Sequence, residues 1–190
     1  MAQNTIPTSG LWSTIAGFIN DNFSEVYGNH QYSGVYDYND LATTGSPIAV
    51  VADTWVPLTN DGNGSFTNTT YGISSIPNIF NTTTNAFDFT SLSLGDSVDI
   101  RVDLDITTNS PNQLVELEVF AGTGPSAYQV PMLTPVQFKT AGTQRLIAYN
   151  GGYMGDSNTK DNPANIQIKS DDSASVVVNG WYIRVIRRGV

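Results

Sequence analysis

The sequence predicts an antiparallel β-sandwich or jelly roll that follows a short helical arm. After residue 47, apolar and polar side chains alternate in one segment after another, which is typical of strands with one buried face. Turn-forming sequences such as Asp61-Gly62-Asn63-Gly64 separate these segments. About eight strands in ~140 residues, with no helix between them, favour two packed sheets over a helical or alternating fold.

The N-terminal segment carries the one helical pattern of the chain. Thr8 or Ser9 can cap a helix over residues 8–27, and Gly28 is a natural stop. Apolar residues recur there at spacings of three and four. A helix this short and apolar is not stable alone in water, so we expect its apolar stripe to pack against another surface. The residues that we predict to contact a partner are Leu11, Trp12, Ile15, Phe18 and Phe23.

Tyrosine and glycine dominate the next stretch, residues 28–47. Its tyrosines either cover the flank of a neighbouring sheet or present a contact surface for a glycan or a protein; the candidates are Tyr32, Tyr36 and Tyr38. We therefore divide the chain into an anchoring arm with a Tyr-rich linker, residues 1–47, and a jelly-roll domain, residues 48–190. On this division, a chain that begins near residue 46 should still fold.

Period-two alternation locates the strands of the β domain. It is clearest over residues 97–106, where Val98 and Ile100 point to one side and Asp99 and Arg101 to the other. The predicted strands cover residues 48–57, 97–106, 115–119, 135–139, 144–150, 165–170 and 175–188.

Carboxylates on two successive strands admit three interpretations. If the strands pair as a hairpin, the register that places Arg101 opposite Glu118 is favoured because it separates like charges. The acids then form a solvated face, a calcium site or the acid pair of a glycosidase. In a jelly roll, consecutive strands often lie in opposite sheets, and the pairing would then not form. The residues concerned are Asp99, Asp103, Asp105, Glu116 and Glu118.

The C-terminal strand has two apolar faces. Ile183 and Val185 share one face with a tryptophan, while aromatic, aliphatic and arginine side chains alternate on the other. Aromatic residues and arginine are enriched at protein interfaces. The strand therefore either packs under a loop or forms an interface between three copies of the chain. The predicted interface residues are Trp181, Tyr182, Arg184, Ile186 and Arg188.

Charge is distributed unevenly along the 190 residues. The net charge is −9, and Arg101 is the first basic residue, so residues 1–100 hold nine acids and no base. Such an acidic chain is not expected to bind nucleic acid. The asymmetry is either chance or a sign that acidic and basic ends meet, within one molecule or between copies. No apolar run reaches the ~18 residues of a membrane span, so no membrane partner is expected.

We expect no enzyme, cofactor or metal site. The chain has no cysteine, and His30 is its one histidine, without a Gly-x-Ser-x-Gly nucleophile motif or a phosphate-binding loop. Asp61 begins a sequence like a calcium loop, but Gly72 stands where the bidentate glutamate belongs. We interpret this segment as a turn.

Two segments resemble proteins of known type. The sequence GLWSTIAGFINDNFSEVY at residues 10–27 resembles an N-terminal segment common in tailed-bacteriophage virion proteins, where it precedes head-fibre, decoration or tail-fibre modules. The β-rich remainder, ending in Trp-Tyr-Ile-Arg-Val-Ile, is similar to the trimeric jelly rolls related to complement and tumour-necrosis-factor heads. The resemblance implies a structural virion protein that forms a homotrimer, and it carries over no catalytic residue.

The expected function is therefore that of a capsid decoration (cement) protein on the outer surface of the head. Its partners would be sister subunits and the major capsid protein or other virion proteins. A short fibre or tail adaptor that contacts a host receptor or glycan is the alternative within the same class. A carbohydrate-binding module that uses the tyrosine cluster, and a glycosidase that uses the carboxylates around Asp99 and Glu118, are alternatives from other classes.

Overall fold

Side chains that alternate between core and solvent build a mainly β domain. The computed structural model describes residue 15, residues 32–123 and residues 127–188. It divides the chain into two units, residues 1–31 and 32–190. In the described part of the second unit the strands are β1 (Ser33–Asn39), β2 (Ile48–Val50), β3 (Val56–Pro57), β4 (Phe80–Asn81), β5 (Ala86–Phe87), β6 (Ser97–Thr108), β7 (Gln113–Ala121), β8 (Tyr128–Phe138), β9 (Gly142–Tyr153), β10 (Ala164–Ser170) and β11 (Ala174–Ile186).

The strands form two antiparallel sheets. The first sheet has the order β1-β11-β6-β9, with β2 also beside β11, and the second has the order β4-β5-β10-β7-β8, with β3 also beside β10. The chain changes sheet between β6 and β7, β8 and β9, β9 and β10, and β10 and β11, as the chain of a jelly roll does. The predicted antiparallel sandwich is confirmed.

Two short helices lie between strands, and the sequence analysis predicted neither. They are α1 (Ala42–Gly45) and α2 (Ser157–Asp161). The carboxylate of Asp156 caps α2 by accepting a hydrogen bond from the backbone N–H of Thr159 at 2.8 Å. Helices of four and five residues leave too little periodicity in the sequence to be recognised.

The core between the sheets contains a group of aromatic rings. Trp181 on β11 is 2% exposed, and its ring meets that of Phe80 edge-on at 6.0 Å. Phe80 also contacts Tyr38 at 5.5 Å and Phe87 at 5.1 Å. Such tilted and edge-on contacts suit the charge distribution of aromatic rings. Because Trp181 fills the interior of its own subunit, its prediction as an interface residue is wrong.

The tyrosines assigned to a linker belong instead to strand β1. Tyr36 is fully buried and Tyr38 is 4% exposed. The Tyr36 hydroxyl donates to the carbonyl of Ile76 at 2.7 Å and accepts from the N–H of Ile73 at 3.0 Å. These two tyrosines therefore cannot form a glycan or protein contact surface, whereas Tyr32 is exposed.

The domain boundary predicted after residue 47 is correspondingly too late. Strand β1 pairs with β11 over seven residues, from Ser33 opposite Ile186 to Asn39 opposite Gly180. The division between the two units falls after residue 31. A tyrosine-rich strand resembles an aromatic linker in composition, and only its pairing with the last strand distinguishes the two.

The predicted N-terminal helix lies outside the described residues, except for Ile15. That residue has helical conformation and an exposed side chain. One residue does not define an element, so the helix and the contacts assigned to Leu11, Trp12, Phe18 and Phe23 stay predictions.

The two oppositely charged parts of the chain meet inside this domain. Asp96 is buried, and its carboxylate accepts hydrogen bonds from the backbone N–H groups of Ser93 and Arg188, both at 2.8 Å. The Arg187 guanidinium lies 3.6 Å from the same carboxylate. An acid from the first hundred residues therefore holds the end of the last strand.

We predict that residues 32–190 fold alone and that residues 48–190 do not. Removing β1 uncovers one side of β11 and deletes two buried tyrosines, and loss of one buried aromatic side chain costs about 3–5 kcal/mol. A domain is stable by only about 5–15 kcal/mol in total. Thermal unfolding followed by circular dichroism measures this. Equal melting midpoints for the two fragments would contradict the assignment of β1 to the core.

Candidate functional site

The side of the first sheet that faces away from the second sheet, here called the outer face, carries the main concentration of charged and aromatic side chains. Alternation along the strands decides which residues point there. One row crosses all four main strands, because Asp37 on β1 lies opposite Tyr182 on β11, Tyr182 opposite Arg101 on β6, and Arg101 opposite Tyr149 on β9. The row alternates acid, aromatic, base and aromatic, an order that pairs unlike groups.

Contacts within this row orient the charged groups. The Arg101 guanidinium lies over the Tyr182 ring, 5.3 Å from its centroid, in a cation–π contact. Burial raises the pKa of the neighbouring Asp37 carboxyl, and the positive charge of Arg101 opposes that shift. The row thus holds a partly desolvated carboxyl beside a fixed guanidinium.

A second ion pair lies nearer one end of the face. Arg145 on β9 grips Asp103 on β6 through two hydrogen bonds, Nε to Oδ1 at 2.9 Å and Nη2 to Oδ2 at 2.5 Å. The Asn179 amide also donates to Asp103 Oδ1, at 3.3 Å. The hydrogen bonds from Arg145 hold the pKa of the Asp103 carboxyl below its ordinary value. Both charged groups are therefore fixed in position.

A bulge in β11 shapes the surface beside this pair. The pairing of β11 with β6 shifts between Val178 and Gly180, and Asn179 is the extra residue. A Cβ atom at Gly180 would lie 2.7 Å from Asn39 Nδ2, and one at Gly64 would lie 2.1 Å from Asn39 Cβ. Two glycines therefore allow the backbone to close around Asn39.

Asn39 is consequently held from both sides. Its Nδ2 donates to the carbonyl of Asn179 at 3.2 Å, and its backbone N–H donates to Thr67 Oγ1 at 2.8 Å. Its Oδ1 is buried and has no hydrogen-bond partner within the described part of the chain. Buried polar atoms without partners are rare in folded proteins.

These side chains line an open cleft of about 480 Å³, a volume within the range of small-molecule sites. Phe66 stands at its rim with 79% of its surface exposed. The residues that contribute charge or polar groups to the cleft are Asp37, Asn39, Arg101, Asp103, Asp105, Arg145 and Asn179.

Of the predicted interface residues on this face, Tyr182 lines the cleft, and the others lie toward the end of β11. Arg184 and Arg188 are exposed there, while Tyr182 and Ile186 are half-buried. Strand β9 adds exposed side chains that the sequence analysis missed, namely Ile147, Tyr149 and Tyr153. Their spacing of two and four residues was the available signal, but Asn150 and two glycines between them obscured the alternation.

The carboxylates considered as a glycosidase pair are separated by the fold. Strand β6 pairs with β11 and β9, whereas β7 pairs with β10 and β8. The two strands do not pair as a hairpin, so the conditional register of Arg101 opposite Glu118 does not form; Asp99 and Glu118 lie in different sheets, which was the stated alternative. Glu116 forms an ion pair with Lys169 at 2.7 Å instead.

Glu118 is the unusual carboxylate of the second sheet, since it is only 3% exposed. Burial raises the pKa of its carboxyl. The hydrogen bond from Gln129 Nε2 at 3.1 Å and the charge of Lys169 oppose that shift. This carboxylate lies outside the cleft, and its burial affects the stability of the fold.

The segment considered as a calcium loop uses its acid within the chain. The Asp61 carboxylate accepts hydrogen bonds from the backbone N–H groups of Leu41, Ala42 and Asn63 at 3.0–3.1 Å. Across residues 32–123 and 127–188, acids, histidines and cysteines form no group of three or more arranged to hold a metal. Among the described helices, none has the length and apolar character needed to cross a membrane.

Comparison with known proteins finds only distant likenesses. No family model matches the chain, and no curated protein sequence is similar to it. The fold is similar to a chain of the T13 IBDV viral particle, with a TM-score of 0.46 and 8% identity over 83% of this chain and 32% of that one. The chain thus spans about a third of the length of that relative.

Two further solved structures are similar over different lengths. The PRD1 vertex protein P5 has a TM-score of 0.34 and 14% identity, over 83% of this chain and 96% of that one. The CBM22-1 xylan-binding domain of Paenibacillus barcinonensis Xyn10C has a TM-score of 0.37 and 13% identity, over 55% and 65%. Likenesses this distant define no function for the chain.

We predict that Glu118→Gln stabilises the domain at neutral pH. The pKa of the Glu118 carboxyl is higher in the folded chain than in the unfolded chain. Its protonated form therefore stabilises the fold fully when the pH is below the unfolded-state pKa of about 4.3. This stabilisation is lost as the pH rises through the folded-state pKa. The variant lacks the cost of a buried charge, so its melting midpoint at pH 7 should be higher than that of the wild-type protein. The difference should vanish near pH 4.

Glu116→Gln is the matched control, because that partly exposed acid lies on the same strand and pairs with Lys169. Its effect should stay below about 1 kcal/mol, as for other surface ion pairs. Melting curves from pH 4 to pH 7 measure both variants. A destabilised Glu118→Gln protein at pH 7 would contradict the explanation.

Proposed function

We propose that this chain is a structural protein of a tailed-phage particle, most specifically a homotrimeric decoration (cement) protein on the outside of the head. The observation that carries the proposal is the division of the chain after residue 31. The segment that resembles phage virion proteins, residues 10–27, falls in the first unit, and the sandwich that follows has its own core. An attachment segment and a separate projecting domain are the two parts that such a protein requires.

Attachment in this proposal is apolar. The first unit contains two acids, Asp21 and Glu25, and no lysine or arginine. Ion pairs with acidic groups of a shell are therefore unavailable to it. The contact with the major capsid protein or another virion protein is assigned to the apolar stripe, namely Leu11, Trp12, Ile15, Phe18 and Phe23. No catalytic activity, nucleic-acid partner or membrane partner forms part of the proposal.

The trimer contact is assigned to the end of the outer face near the last residues of β11. Ile186 lies opposite Ser97, and Ser97 lies opposite Tyr153, so the predicted interface on β11 continues across β6 to β9. Tyrosine, isoleucine and arginine together resemble the core of a protein interface more than ordinary surface. The assigned residues are Tyr182, Arg184, Ile186 and Arg188, joined by Tyr149 and Tyr153.

A second candidate function is a short fibre, adaptor or binding module whose sandwich contacts a host receptor or glycan. The cleft around Asp103 and Arg145 favours it, because an open polar cleft with an exposed aromatic rim serves no evident purpose in a protein that only covers a shell. The two functions differ in what the loss of the protein changes. A cement protein alters the stability of the head, and a fibre alters adsorption to the host.

We predict that Trp12→Ala strongly weakens binding to capsids while moderate salt does not. Burying one tryptophan removes about 200 Å² of surface from water, which contributes ~5 kcal/mol of gross binding free energy. A surface ion pair contributes about 1 kcal/mol at most. Cosedimentation with stripped heads measures the binding. Val51→Ala, an exposed residue of the sandwich, is the control and should bind normally.

The same particles test the cement function. A protein that binds only the assembled shell stabilises it by RT ln(1 + [L]/Kd), about 2.7 kcal/mol per site at a hundredfold excess over Kd. Complete heads should therefore open at higher temperature than stripped heads. If stripped and complete heads resist heat equally, and stripped particles adsorb less well to the host, the fibre function replaces the cement function.

We predict a trimer of about three times 20.5 kDa in solution, which Arg184→Glu combined with Ile186→Glu converts to the monomer. Arg184→Glu reverses a charge, and Ile186→Glu would bury a carboxylate in the contact. Both changes oppose association at this end of the face. Multi-angle light scattering measures the mass, with Val51→Glu, an exposed position near the other end of β11, as the control. A wild-type monomer in solution and in the particle would overturn the trimer.

A further inference from the structure

We infer that the cleft on the outer face is a binding site for a neutral saccharide. The inference rests on the second candidate function, to which it adds a site and a ligand class, and it is compatible with attachment of the arm to a particle. It follows from four features of the cleft: its paired hydrogen-bonding groups, its exposed aromatic rim, its charge balance and its place on the sheet.

The polar groups of the cleft are those that recognise sugar hydroxyls. Each hydroxyl both donates and accepts, so a pair of neighbouring hydroxyls fits a carboxylate or amide oxygen placed beside a guanidinium or amide N–H. Asp103 with Arg145 supplies such a pair, and Asp37 and Arg101 add a further carboxylate and guanidinium to the lining of the cleft. The two hydrogen bonds from Arg145 to Asp103 and the cation–π contact of Arg101 with Tyr182 orient these groups before a ligand binds.

Phe66 supplies an apolar platform at the rim. A phenylalanine with 79% of its surface in water is an unfavourable arrangement for the free domain. The C–H face of a pyranose ring packs against such a ring and removes it from water. The loop that carries Phe66 is fixed, because Asn68 and Asp37 exchange two backbone hydrogen bonds of 2.9 Å and Thr67 accepts from the N–H of Asn39.

The charges of the cleft favour a neutral ligand over an acidic one. Three carboxylates, Asp37, Asp103 and Asp105, face two guanidinium groups, Arg101 and Arg145. Arg145 is already paired with Asp103, and the Arg101 guanidinium lies over the Tyr182 ring between two acids whose charges outnumber it. The cleft therefore has an excess of negative charge, which disfavours a uronic or sialic acid. The net charge of −9 on the chain adds a further repulsion.

The site adjoins the proposed trimer contact on the same face, and Tyr182 belongs to both because it lines the cleft. Arg184 lies opposite Asp99, and Arg145 lies opposite Asp105. These two positions on β6 are six residues apart, a distance of about 20 Å at ~3.3 Å per residue. A saccharide bound at Asp103 and Arg145 therefore lies well away from the part of the trimer contact around Arg184.

Isothermal titration calorimetry on the full chain tests the inference. The probes are the neutral tetrasaccharides cellotetraose, xylotetraose and mannotetraose, with tetragalacturonate as the acidic comparison. We expect at least one neutral probe to bind with a dissociation constant below about 1 mM and tetragalacturonate to bind at least about tenfold more weakly. Absence of binding by all three neutral probes, or equal binding of the acidic one, would overturn the inference.

Variants assign the binding to the cleft. Phe66→Ala and Arg145→Gln should each weaken the neutral probe at least about tenfold, while Phe66→Tyr should retain binding. Leu114→Ala is the control, since it truncates an exposed apolar side chain on strand β7 of the other sheet. Unchanged binding by Phe66→Ala, or equal loss by Leu114→Ala, would place the sugar elsewhere and overturn the site.

Failure of this inference and failure of the attachment proposal are distinguishable. Trp12→Ala should alter capsid binding and leave saccharide binding unchanged, and Phe66→Ala should do the reverse. Melting midpoints within about 2 °C of wild type confirm that both variants are folded.

Discussion

The last strand, β11, is the element on which the rest of the structure depends. It lies in the middle of the first sheet, between β1 from the start of the domain and β6, and it carries Trp181 into the aromatic group of the core. Residues about 140 positions apart in the chain are thereby hydrogen-bonded neighbours. Closing so long a loop costs conformational entropy. Burial of the core between the two sheets offsets that cost only when both sheets are complete. The domain consequently cannot lose either end and keep its core.

The same strand also shapes the cleft. The extra residue in β11 at Asn179 interrupts the regular pairing and turns its amide toward Asp103. Gly180 beside it permits the close approach of Asn39 from β1. Strand β11 thus packs against the core along its whole length on one side. On its other side, the single bulge shapes the polar cleft. Bulges commonly have this role next to binding sites.

Charged side chains have different surroundings on the two sheets of the sandwich. On the first sheet, Arg145 pairs with Asp103 of β6 and Arg101 lies over the Tyr182 ring, which leaves a surface of charged and aromatic groups suited to contact. On the second sheet, Glu118 is buried beneath its neighbours at a cost to stability. The acidic excess of the chain therefore does not extend evenly over its surface, and the outer face is the part best suited to partners.

The amino-acid sequence by itself determined the β class, most of the strands and the inward face of each, because side-chain alternation is a local property that survives in any sheet. It also located the strand 175–188 and the acids of β6. Tertiary structure alone decided that Tyr36 and Tyr38 are core residues, that Trp181 is internal, that Asp99 and Glu118 lie in different sheets, and that Asp103 meets Arg145. Those facts depend on which strands pair, and pairing joins residues far apart in the chain through contacts that no local pattern encodes.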